Sequence, residues 1–182
     1  MKPRNLLAAS GLAIIALLAS AAAPAATKEE IDASVSAALT RFNAINPSHK
    51  ELERKAVGML VFPRVTKGGI GIAGEYGEGV LRVNHKTAGY YSLSAASVGL
   101  TLGVAKHSEI IMFMTQDALD KFMKSQGWKV GADASVALAK VGAGGEYDSE
   151  TLQKPIIGFV FGEKGLIADL SLEGTKINPI ER

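Results

Sequence analysis

The sequence predicts an α+β domain: helices first, then a glycine-rich, mainly antiparallel sheet coiled into a small curved sheet or barrel, with one inserted helix near residues 116–126. Three observations carry this. Helical spacing of apolar residues is confined to residues 27–57 and to that insertion, period-two alternation dominates the rest, and many of the 20 glycines fall at alternate strand positions. With 182 residues, 47% hydrophobic and 21% charged, the chain is too apolar for disorder and long enough to bury one core.

Lys2 and Arg4 precede an uncharged run from Asn5 to Thr27 containing Leu6, Leu7, Leu12, Ile14, Ile15, Leu17 and Leu18, and Ala23-Pro24-Ala25 fits an A-x-A cleavage site. The strictly apolar part is shorter than the ~20 residues that span a bilayer. Residues 1–25 are therefore expected to be a signal peptide, placing the protein in the periplasm or cell envelope, or outside the cell. Residues 26–182 are expected to be one domain, with leading helices over 27–57 and a sheet-rich core over 58–182.

Thr27-Lys28-Glu29-Glu30 is a capping box, and Ile31, Val35, Ala38, Leu39 and Phe42 form the apolar stripe of the helix it opens. Asn46-Pro47 turns the chain. Ser48-His49-Lys50-Glu51 repeats the capping pattern for a short second helix that Gly58 is expected to stop. Strand patterns follow at Met59–Phe62 (closed by Pro63), Ile70–Gly74, Val80–Asn84, Tyr90–Leu93, Ser97–Val104 and Ile110–Met114, with His85–Gly89 as a hairpin connection. Thr115 caps a helix carrying Ala118, Leu119, Phe122 and Met123 and ending at Gly127. Strand patterns resume at Val130–Leu138, Ile156–Phe161 and Leu166–Leu172, and Gly142-Ala143-Gly144-Gly145 is a loop inside the domain.

Formal net charge is +2, and removal of Lys2 and Arg4 makes the remainder neutral, so nucleic acid is not an expected partner. The absence of Cys excludes disulfides, thiol nucleophiles and Cys-based zinc sites. Gly69-Ile70-Gly71-Ile72-Ala73-Gly74 matches G-x-G-x-x-G, but a strand pattern follows where a nucleotide site needs a helix. Ala96-Ser97-Val98-Gly99 resembles part of a nucleophile elbow and fails for the same reason. His49, His85 and His107 show no metal-ligand spacing and read as surface or hairpin residues. Glu75 and Glu78 read as a solvated rim, and Asp133 with Ser135 as a structural polar pair. No enzyme, cofactor or metal is expected.

Five cations, Lys50, Arg54, Lys55, Arg64 and Lys67, gather between the second helix and Gly68-Gly69. With backbone amides of a glycine loop they can hold a phosphate or an anionic lipid headgroup. The other reading is a solvated helix face paired with Glu51 and Glu53.

Gly58-Met59-Leu60-Val61-Phe62-Pro63-Arg64-Val65-Thr66-Lys67-Gly68-Gly69 and Gly74-Glu75-Tyr76-Gly77-Glu78-Gly79-Val80-Leu81 closely resemble the opening of the SYLF domain. Ser97–Leu100 with Gly103, Ile111–Thr115 with Ala118-Leu119, Gly131–Val136, Lys164–Leu166 and Ser171–Gly174 follow in matching order. The resemblance implies a non-catalytic domain that binds phosphoinositides or other anionic lipids, described in some eukaryotic members as also binding actin. It places Arg64 and Lys67 within the matched motif; Lys50, Arg54 and Lys55 join them by their position in the chain. An exported chain without an SH3 segment is not expected to meet actin. The expected function is adsorption to anionic membrane surfaces, and the alternative is an envelope carrier or scaffold for an apolar ligand or a protein.

Overall fold

The computed structural model describes residues 26–140, 147–167 and 170–182, and only the backbone of Gly71 and residues 97–102. The expected signal peptide and the Gly142–Gly145 loop lie outside the described residues. Helix α1 (Lys28–Ile45) starts in the predicted capping box: the Thr27 hydroxyl accepts from the Glu30 amide at 3.2 Å and the Glu30 carboxylate accepts from the Thr27 amide at 2.8 Å. Its predicted stripe, Ile31, Val35, Ala38, Leu39 and Phe42, is buried. Helix α2 (His49–Lys55) forms without its expected cap, because the Ser48 hydroxyl donates to Asn46 Oδ1 at 2.8 Å instead. It ends at Lys55, where the Ala56 amide donates to Leu52 O, so Gly58 begins the next strand and does not stop the helix.

The six strands expected between residues 59 and 114 are two. Strand β1 (Gly58–Val83) and strand β2 (Lys86–Phe113) pair antiparallel as one long ribbon. The turn between them is Asn84-His85, both at positive φ (50° and 61°), which matches the right-handed twist of a two-residue hairpin; pairing resumes at Lys86, so the expected His85–Gly89 connection is shorter than read. Pro63 does not close a strand. It lies in a register shift between Phe62 and Val65, where a missing N–H interrupts no ladder bond.

The ribbon folds back across itself. A Cβ built on Gly79 would lie 2.2 Å from Val61 O, and one on Gly77 2.9 Å from Arg64 O, so residues 61–65 and 77–79 pass each other at backbone contact. Only glycine fits such an approach.

Helix α3 (Gln116–Lys124) is capped by Thr115, as predicted, and buries Ala118, Leu119 and Phe122. The expected strand over 130–138 is broken. Strand β3 (Trp128–Lys129) stops where the Asp133 carboxylate accepts from the Lys129 amide at 2.5 Å and ties off a turn, and only β4 (Ala137–Leu138) follows. Asp133 is thus structural, though in a turn and not beside Ser135 on a strand face. After the short helix α4 (Ser149–Leu152) comes β5 (Ile156–Gly162), then β6 (Gly165–Leu166), which covers only the start of the predicted 166–172 strand. Strand β7 (Lys176–Ile180) was not read from the sequence, because Asn178-Pro179 interrupts its alternation.

Along its second edge β2 pairs with β7 through Tyr90–Ser94 and with β5 through Ser108–Phe113, giving the order β3-β7-β2-β5-β4 with β1 outside β2 and β6 outside β5. All pairs are antiparallel except β4 with β5. The fold is α+β, a strongly curled half-barrel preceded by helices. Where β1, β2 and β5 lie side by side, the sheet is buried on both faces. Leu60, Phe62, Ile111, Phe113, Ile156 and Val160 pack with Leu119, Phe122 and Trp128, while Met59, Val61, Ile110, Met112, Phe159 and Phe161 pack with the α1 stripe. That explains why these strands read as continuous apolar runs.

Candidate functional site

The register shift at Pro63-Arg64 positions the site. A bulge releases residues from the ladder and re-aims their side chains, and Arg64 is exposed there, beside β2 at Lys106 and His107. Arg41, on the outer face of α1, reaches the same place: its Nη2 donates to Ser108 Oγ at 3.3 Å, and that hydroxyl donates onward to Pro63 O at 2.8 Å. Lys164 arrives on the turn between β5 and β6. Together Arg41, Arg64, Lys106 and Lys164, with Ser34 and, among the described residues, the single carboxylate Glu163, line a cavity of about 480 Å³ between α1 and the ribbon. Four cations facing one anion across low-dielectric walls concentrate positive potential there.

A second cavity of about 1120 Å³ shares Ser34, Pro63 and Arg64 with the first and runs past Ile31, Tyr76 and Arg182. Arg64 therefore stands where two recesses beside α1 meet.

Of the five cations singled out in the sequence, Arg64 alone lines these cavities. Lys50, Arg54 and Lys55 are exposed on α2, and Lys55 pairs with Glu51 at 2.8 Å, a solvated contact that contributes little. Lys67 turns to Glu75 at 2.6 Å. Arg41, Lys106 and Lys164, which the sequence reading did not select, are brought to Arg64 by the fold; each is isolated in the sequence, and only the helix packing and the β5–β6 turn unite them.

The ribbon continues from this groove to an apolar end. Ile70 is 83% exposed, Ile72 67% and Val104 72%. In strand geometry the six steps from Arg64 to Ile70 span no more than about 20 Å, so the cationic groove and the exposed aliphatic end lie close together along one ribbon.

Several residues read as surface groups are wholly or partly withdrawn from solvent. Glu75 and Glu78 are not a solvated rim: both are partly buried, with Glu75 against Lys67 and Glu78 paired to Arg182 and accepting from Tyr76 at 2.8 Å. His107 is buried and pairs through Nε2 with Glu109 Oε1 at 2.8 Å. Burial pushes the Glu109 carboxyl up, against the opposing effect of His107. His49 is also buried, stacked on Phe42 at 3.7 Å between ring centroids. Of the three histidines, His85 alone is the hairpin residue expected.

The described residues thus form a curled half-barrel with helices packed on its sheet and a cationic recess at a β-bulge. Residues 94–181 match the Ysc84 family model, described as Las17-binding protein actin regulator. This match agrees with the SYLF resemblance that the ordered motifs carry. The match runs from the middle of β2 to the end of β7, and the motifs at 58–69 and 74–81 precede it. That family is one of binding domains, generally non-catalytic, and the match supports a lipid-binding or actin-regulator relationship. The expectation that actin is not a partner gains no support, since the matching family is itself described as an actin regulator. No curated protein matches the chain.

Proposed function

We propose that this domain adsorbs to anionic membrane surfaces, with Arg41, Arg64, Lys106 and Lys164 receiving phosphate-bearing headgroups and the ribbon end entering the interface. In this reading residues 1–25 export the chain, so the surface it meets lies outside the cytoplasm. The observation that carries it is the junction, on one ribbon, of a four-cation cavity and three exposed aliphatic side chains. Each cation near an anionic surface contributes about 1 kcal/mol, and each isoleucine drawn from water up to about 2 kcal/mol. Neither part suffices alone, whereas the sum gives reversible adsorption. Lys50, Arg54 and Lys55 can add general attraction from α2, outside the cavity.

The test is co-sedimentation of the purified protein with neutral, phosphatidylglycerol and phosphoinositide vesicles at low and high salt. Selective pelleting with anionic vesicles that weakens with salt is expected, because exposed charge contacts are screened. Replacing Arg64 and Lys106 together by Glu should reduce it at least about tenfold. Salt-insensitive pelleting with neutral vesicles, or an unchanged double variant, would overturn the reading. The family description makes actin the second candidate, and filament co-sedimentation in the same series tests it.

A further inference from the structure

We propose that Glu75, His107 and Glu109 form a binding site for a divalent transition-metal ion of the zinc type, buried beneath the cationic groove. One carboxylate oxygen of each Glu and a ring nitrogen of His107 all lie within 4.8 Å of one another. The topology makes this grouping and the sequence hides it. His107 and Glu109 are two apart on β2 and share a face, while Glu75 comes from the arm of β1 that folds back over them. One imidazole with two carboxylates is a borderline-soft donor set, suited to zinc and its neighbours more than to calcium or magnesium.

The second observation concerns charge. Side-chain exposure is 10% for Glu75 and 2% each for His107 and Glu109. Glu109 Oε1 meets His107, but Glu109 Oε2 is buried with no hydrogen-bond partner. A buried carboxylate oxygen without a partner is costly, and a dication between the two carboxylates would satisfy it. The 2.8 Å separation of His107 Nε2 and Glu109 Oε1 need open by only about 0.5 Å for both to ligate one zinc at ~2.0–2.1 Å, and bidentate ligation brings Glu109 Oε2 onto the same ion. His107 also lines the groove, so the site lies directly beneath it.

Lys67 is the competitor. Its ammonium sits 2.6 Å from Glu75 and is 20% exposed, so it can neutralise Glu75 in the metal-free protein and swing toward solvent when an ion arrives. This separates a metal site from a closed network of two ion pairs. If the four groups are only a network, removing Lys67 strands Glu75 and no ion repairs it. If they are a metal site, removing Lys67 lowers the melting temperature of the metal-free protein and zinc restores it.

The experiment titrates chelator-treated protein with zinc chloride by calorimetry, with melting temperatures recorded in parallel. One equivalent bound by the wild type is expected. Binding should weaken at least about tenfold in Glu109→Gln, the lower end for loss of even an outer partner of a metal ligand, and tighten in Lys67→Gln, whose melting temperature zinc should raise more than that of the wild type. Glu75→Gln, at the more exposed ligand, serves if Glu109→Gln does not fold. No stoichiometric binding by the wild type, equal binding by the ligand variants, or a Lys67→Gln protein that zinc does not rescue would overturn the proposal.

Discussion

His49 is held by groups far from it in sequence. Its Nδ1 lies 2.5 Å from Phe42 O and donates to it, which leaves Nε2 to accept from the Tyr147 hydroxyl 98 residues away. Burial lowers its pKa from the ordinary 6.5, outweighing the Phe42 contact, and also raises the Tyr147 phenol to about 12. The unfolded chain therefore takes up a proton before the folded one does. Stability supplied by neutral His49 is complete above pH 6.5 and is lost as pH falls below that value toward the lowered one. Urea denaturation at pH 7 and pH 5 should show a falling free energy, and His49→Gln should be less stable at pH 7 by about 1–3 kcal/mol but flatter with pH, by up to about 1.4 kcal/mol per unit. Parallel profiles for the two proteins would refute this role. The Thr27 capping box was legible because all its atoms lie within four residues. The burial of His49 and the enclosure of Glu78 were not, since Tyr147 and Arg182 come from 98 and 104 residues on, and the pairing of Glu75 with Lys67 was not, since it depends on how β1 curls between them.

At the scale of the element, glycine chemistry decides whether the ribbon can fold back. Gly79 and Gly74 look alike in the sequence, both in Gly-rich alternation. A Cβ at Gly79 would collide with Val61 O at 2.2 Å, while one at Gly74 meets nothing within 4 Å. Gly79→Ala should therefore cost about 3 kcal/mol or more, as an overpacked site with backbone on the other side. Gly74→Ala should stay within about 0.5 kcal/mol of wild type. Urea midpoints of the two variants check the pair, and equal effects would mean that the arms do not touch at Gly79. The same element shows what local reading can resolve. Period-two runs gave strands at the right places, but Pro63 and His85–Gly89 read as breaks, because sequence does not show that a bulge hosts the proline or that Asn84-His85 alone makes the turn. Strand β7 escaped for a related reason: Pro179 spoils its pattern, yet β3 reaches only Lys176 and Ile177, so the proline sits where one side carries no described strand.

At the scale of the whole molecule, the α+β order and the SYLF motifs were legible, and the composition of the cationic groove was not. Local density of charge favoured Lys50, Arg54, Lys55, Arg64 and Lys67, whereas packing of α1 on the ribbon selects Arg41, Arg64, Lys106 and Lys164. Only Arg64 belongs to both sets. The exposed residues Ile70, Ile72 and Val104 were read as ordinary strand positions, because their alternation resembles that of a buried strand; what differs is that the described sheet and helices leave them uncovered.

The account turns on that ribbon end entering the membrane while the groove above it holds headgroups. Because the chain has no cysteine, Ile72→Cys creates a unique position for an environment-sensitive fluorophore. With phosphatidylglycerol vesicles at low salt the label should shift to the blue and become shielded from an aqueous quencher, and both changes should disappear with neutral vesicles or when Arg64 and Lys106 are reversed to Glu. A label that stays in water while the protein pellets with anionic vesicles would contradict the account.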